Sequence, residues 1–143
     1  MEQLNDVIFY TIDKAIRTYR QYAQKELKKA GYKITIDQWL IIKNILENPE
    51  ISQQELSEKV FKDNASVTRI IDLLVKAKYL ERKISSTDRR RTELKVTKEG
   101  KKIITDVQTI VLTNRSFALK NLSKSDIDSM KTGLMMIIKN CSK

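Results

Sequence analysis

"SQQELSEKVFKDNASVTRIIDLLVKAKYLER", Ser52 to Arg82, decides the fold. It opens on a helix start: Ser52 can cap it, Glu55 can reach back to the cap, and Ile51 and Leu56 form an apolar staple around both. This first helix is short, with Leu56 and Val60 facing in. The turn "FKDN" follows, and Asp63 or Asn64 can cap a second helix. With about 100° of rotation per residue, Val67, Ile70, Ile71 and Leu74 share one face of that helix. Ala65, Thr68, Arg69, Asp72 and Lys76 share the opposite face, with Ser66 at its edge.

The outward side near the helix start is small, hydroxylated and basic. A reader of the DNA major groove needs such a surface. Small residues permit close approach, Ser and Thr reach phosphates or base edges, and Arg can bond guanine bidentately. The helix start adds partial positive charge toward phosphates. An ordinary solvated face fits the same residues, since Ser and Thr collect at helix starts for capping reasons.

The next residues weigh between the two. "YLERKI" and "TELKV" predict two short strands, about 79–84 and 92–97, in which Leu94 and Val96 alternate with Glu93 and Lys95. Between them, "SSTDRRR" places Arg89, Arg90 and Arg91 side by side. Three like charges in a row repel one another and gain nothing from packing. They gain from phosphates, and most in the minor groove over narrow A·T-rich steps, where the negative potential is enhanced. A helix-turn-helix followed at once by a two-stranded ribbon is a winged helix.

Working outward, Leu4, Ile8, Ile12, Ala15/Ile16, Tyr19, Ala23 and Leu27 predict one helix over 4–30, with Gly31 as its stop. "ITIDQW" carries a second capping box, Thr35 with Gln38, stapled by Ile34 and Trp39. "LSKSDI" carries a looser one, Ser123 with Asp126, flanked by Leu122 and Ile127. The predicted helices are 4–30, 35–47, 52–60, 64–78, 98–118 and 123–141, the second ended by Pro49. Ile103, Val107, Ile110, Asn114 and Phe117 form a narrow seam of the kind that faces another helix. Ile127, Met130, Leu134, Ile137/Ile138 and Cys141 form a second. Long amphipathic helices at both ends, without a matching local partner, predict a homodimer; packing within one chain is the other reading.

Composition narrows the function. Lys and Arg number 28 against 18 Asp and Glu, a net charge of +10 that points to a polyanionic partner. There is no histidine and one cysteine, Cys141, so no catalytic triad of the usual kind and no Cys/His metal cluster can form within the chain. Gly31, Gly100 and Gly133 lie too far apart for a phosphate loop. Neither an enzyme nor a metal or cofactor is expected. Cys141, at an apolar seam position, reads as a small core residue rather than a redox sensor. No apolar run approaches the ~20 residues that span a bilayer. The start, "MEQLNDVIFY", is acidic where a signal peptide is basic, so a cytoplasmic location is expected.

Over nearly its whole length the chain resembles the MarR family of winged helix-turn-helix transcriptional regulators. The resemblance rests on Ser66, Thr68-Arg69, Asp72 and Leu74 in the recognition helix and on Leu80-Glu81-Arg82 after it. In the wing it rests on Asp88-Arg89-Arg90, Leu94, Val96-Thr97 and Gly100. Lys78 stands where the family usually has glycine, and Arg91 adds a third charge to the tip.

The resemblance implies a mainly α fold in one subunit, 1–143. A winged-helix region, 32–98, would lie between dimerisation helices, 1–31 and 99–143. It implies Ser66, Thr68 and Arg69 along the major groove and Arg90 in the minor groove with Asp88 bracing it; Asn64 at the helix start and Arg89 and Arg91 at the wing tip are further expected DNA contacts. It also implies a homodimeric repressor of double-stranded DNA at a pseudo-palindromic operator. A small aromatic or anionic effector would release it, with Tyr10, Tyr19 and Trp39 as candidate lining. Aromatics at helical spacing also fit plain core. The rival reading is a winged-helix module that regulates by contacting another protein.

Overall fold

The computed structural model describes residues 1–142. Its elements are α1 (Ile8–Lys29), α2 (Ile36–Glu47), α3 (Gln53–Lys59), α4 (Asn64–Lys76), β1 (Leu80–Ile84), β2 (Thr92–Val96), α5 (Lys98–Ala118) and α6 (Lys124–Cys141). The caps set most of these starts. Thr35, Ser52 and Ser123 each accept from the third helical residue, and the side chains of Gln38, Glu55 and Asp126 accept back from the cap. The Ser123 start, looser in sequence, is as complete as the others. Asp63, not Asn64, caps α4: its carboxylate accepts from the Ser66 N–H at 2.8 Å.

Two boundaries differ from the sequence reading by more than one residue. The helix expected from residue 4 begins at Ile8, because Val7 is extended (φ −87°, ψ 116°) after a short turn, Leu4–Asp6. The recognition helix, α4, stops at Lys76, because Lys78 turns left-handed at φ 69°. There the Tyr79 N–H bonds the Leu74 carbonyl at 2.9 Å and the Lys78 N–H bonds that of Val75 at 3.0 Å, satisfying the last helical carbonyls. Gly31 (φ 90°) closes α1 in the same way. So does Phe61 (φ 61°) after α3, a position where only glycine is free of strain.

The core forms where the helix-turn-helix meets its neighbours. Ile41, Ile42 and Ile45 of α2, Leu56 and Val60 around α3, and Val67, Ile71 and Leu74 of α4 are buried together. Leu80 and Val96, paired across the base of the ribbon, join them, as do Ile104 and Val107 of α5. The strands are antiparallel, from Leu80 opposite Val96 to Ile84 opposite Thr92. The junction with α5 is tight. Thr97 caps α5, and its hydroxyl donates to the Lys78 carbonyl at 2.6 Å. A Cβ on Gly100 would collide with the Tyr79 carbonyl, which accounts for glycine one turn into the helix.

The terminal helices are uncovered along much of their apolar faces. Ala23 and Leu27 of α1 are buried, but Ile8, Phe9 and Ile16 are exposed. In α5, Val107 and Asn114 are buried while Phe117 is 57% exposed and stacks on Tyr22. No residue of α6 is buried, and Met130, Leu134 and Ile138 of its seam lie open. Cys141 is exposed rather than core, because none of the described residues covers that seam.

Candidate nucleic-acid interface

Helix α4 presents Ala65, Arg69, Asp72 and Lys76 to solvent, with Thr68 half-buried, as its wheel requires. Several of its polar groups already have partners. The Asn64 amide accepts from Ser57 Oγ at 2.7 Å and donates to Gln54 Oε1 at 3.4 Å. The Thr68 hydroxyl donates to the Asn64 carbonyl at 2.8 Å and accepts from the Gln53 amide at 2.6 Å. Gln53 and Gln54 thereby join this face from the first turn of α3. Sequence reasoning missed them. Their signal was their place immediately after the Ser52 cap.

Ser66 Oγ donates to Asp63 at 2.9 Å, and Arg69 reaches Ser66 Oγ at 3.5 Å. The bonds from the Ser66 N–H and hydroxyl hold the Asp63 carboxyl below the usual aspartate range. An ion pair between Asp72 and Arg82 ties α4 to β1.

The wing loop, 85–91, is built on Ser85, which is only 3% exposed. Its Oγ accepts from the N–H groups of Thr87 and Asp88, each at 3.2 Å, and its N–H donates to the Arg91 carbonyl at 2.9 Å. Asp88 Oδ1 accepts from the Arg90 main-chain N–H at 3.0 Å, so it holds the backbone of Arg90 rather than its guanidinium. Among the described residues, the side chains of Arg89 and Arg90 have no hydrogen-bond or ion-pair partner. Arg91 differs from both: its guanidinium donates to the Glu50 carbonyl at 3.2 Å.

A second feature lies between α1, α2 and α5. Tyr19 and Trp39 line a cavity of about 200 Å³ together with Arg20, Asn114 and Arg115; Tyr10 lies outside that lining. Trp39 Nε1 is buried there with no acceptor among the described residues. The Arg115 guanidinium stands 5.6 Å from the centre of the Trp39 ring, and Lys43 Nζ 5.8 Å from it. Among the described residues, no group of three or more acidic or cysteine side chains could hold a metal ion. No described helix is long and apolar enough to cross a membrane.

Comparison with known proteins agrees with this geometry. Residues 34–92 match the MarR family model. The HTH-type transcriptional regulator MhqR of Bacillus subtilis is 25% identical over 100 residues, covering 70% of this chain and 68% of that one. BpsR of Bordetella bronchiseptica, described with its regulation of DNA binding by 6-hydroxynicotinic acid, superposes with a TM-score of 0.86 at 14% identity, over 96% of each chain. MepR of S. aureus, solved as a DNA complex, superposes with a TM-score of 0.79 at 17% identity, over 94% of this chain and 96% of that one. Residues 34–92 thus carry the winged-helix pattern of the MarR family, and the chain as a whole has the fold seen in BpsR and MepR.

Proposed function

We propose that the protein is a homodimeric repressor that reads an inverted repeat in double-stranded DNA. The observation that carries this is the pairing of two surfaces on one winged helix. The outward face of α4 is small and polar around Arg69, and the wing tip beside it presents Arg89 and Arg90, whose side chains have no partner among the described residues. Ser66, Thr68 and Arg69 lie along the major groove, while Arg90 enters the minor groove on a backbone held by Asp88. Asn64, whose amide is bonded to Ser57 and Gln54, supports that face rather than extending from it.

The winged-helix region, 32–98, binds the DNA, and the flanking segments, 1–31 and 99–143, form the dimer. The uncovered apolar faces of α1 and α6 support this. The cavity at Trp39 receives a small aromatic or anionic effector. The indole N–H, unpartnered among the described residues, suits an acceptor, and Arg115 suits negative charge, while Arg20 is already paired with Asp37 at 3.0 Å. The named effector of BpsR, a heteroaromatic acid, has that chemistry.

Selection from random-sequence duplex DNA, followed by footprinting, tests the reading. The expected result is one enriched inverted repeat with half-sites ~10 bp apart, centre to centre. No enrichment, or protection of a single asymmetric half-site, would count against it.

A further inference from the structure

The three wing arginines look equivalent in sequence, but the structure separates them. Beyond the last ladder pair, Ile84 with Thr92, Ser85 is buried and residues 86–91 are exposed. Among the described residues, one hydrogen bond ties the residues 85–91 to anything outside the ribbon: Arg91 to the Glu50 carbonyl at 3.2 Å. Both ends of that link are anchored. The Arg91 N–H donates to the Asp88 carbonyl at 3.0 Å and its carbonyl accepts from Ser85, so the side chain leaves a fixed base. Glu50 sits in the α2–α3 turn, where its N–H donates to the Asn48 side chain at 3.3 Å and Ile51 donates to the Asn48 carbonyl at 3.1 Å. That turn leads directly into the Ser52 cap of α3, the first helix of the helix-turn-helix.

We infer that Arg91 is a positioning residue: it spends its guanidinium on the α2–α3 turn and fixes the reach of the wing tip relative to α4, leaving Arg89 and Arg90 for the DNA. This rests on the DNA-binding reading above. It removes Arg91 from the set of groups that meet phosphate directly. The distinction is measurable because a phosphate contact releases counterions and a brace does not.

The test pairs two variants, Arg91→Ala and Arg90→Ala, in the full chain, with the duplex recovered by selection as the DNA probe. Hydrogen exchange is followed on the free protein. In Arg91→Ala the hydrogen-bonded amides of Ser85, Thr87, Asp88, Arg90 and Arg91 should exchange about three- to tenfold faster, as expected for the loss of one hydrogen bond. The amides of the buried turn around Ile71 should be unchanged. Affinity for the duplex should fall, while the slope of log affinity against log salt stays that of the wild type. Arg90→Ala should instead make that slope shallower by about 0.9, one phosphate contact fewer. A slope in Arg91→Ala reduced as much as in Arg90→Ala overturns the inference, because Arg91 would then contact phosphate. Unchanged exchange in the wing loop overturns it too. Should the wild type show no salt-dependent binding at all, the DNA-binding reading fails, while the exchange measurement still decides the tether.

Discussion

Replacing Phe61 with glycine should make the protein slightly more stable, although it removes a large aromatic ring. Phe61 closes α3 at φ 61°, and the ring is 86% exposed. A side chain at left-handed φ costs roughly 1–2 kcal/mol, which glycine relieves. Against that, glycine's freedom in the unfolded chain returns about 0.4–1 kcal/mol. The little surface the ring buries is worth roughly 0.3 kcal/mol. The balance is a gain of about 0.5 kcal/mol, small enough that a control must isolate it. Phe61→Ala loses the same ring but keeps the strained φ. The glycine variant should therefore be more stable than the alanine variant by roughly 0.5–1 kcal/mol, the reverse of the order seen inside helices. Urea unfolding of the three proteins at one concentration, fixed because a dimer's stability depends on it, reads these differences. An alanine variant more stable than the glycine variant would refute the reasoning: the turn would then carry no strain at Phe61.

Three further outcomes follow from other parts of the structure. Leu134→Glu, at an uncovered α6 position, should reduce a species of twice the 16.7 kDa chain mass to single chains in sedimentation equilibrium at micromolar concentration; a wild type already at the single-chain mass would remove the dimer from the account. Asp63 and Asp126 are both held below the usual aspartate value by bonds from Ser66 and Ser123. Their contribution is therefore complete above that value and lost as pH falls through the lowered folded-state values, so acid unfolding should set in below about pH 4. Asp63→Asn, which keeps a capping oxygen, should make that acid limb shallower; an unchanged limb would mean the cap's charge is irrelevant. Asp88→Ala should weaken DNA binding although it makes the wing more positive, because the Arg90 N–H loses its acceptor; tighter binding at both a low and a high salt concentration would show a patch of charge rather than a shaped wing.

What could be read from sequence was what is decided within a few residues. The caps at Thr35, Ser52 and Ser123 join groups three positions apart, so their residue types announce them. The inward row of α4 follows from helical period alone, and Val67, Ile71 and Leu74 are buried accordingly. Lys78 was legible as an anomaly, since a helix end closed in the left-handed region leaves its mark where glycine is missing. Partnerships across the chain were not legible. Arg91 and Glu50 are 41 positions apart, and no periodicity links a wing arginine to a main-chain carbonyl. Gln53 meets Thr68 only because the α3–α4 turn brings them together. Leu4 continued the apolar spacing of α1 in sequence, yet the helix begins after Val7, for the spacing of side chains does not report a break in the backbone.

The central claim is that α4 reads base sequence. Arg69→Ala, measured by fluorescence anisotropy on the selected inverted repeat and on a random duplex at the same salt, tests it most directly. A bidentate base contact is worth ~1–3 kcal/mol, so the variant should lose roughly 5- to 150-fold more affinity on the repeat than on random DNA. An equal loss on both duplexes would contradict the claim, leaving Arg69 as one more positive charge beside the phosphates.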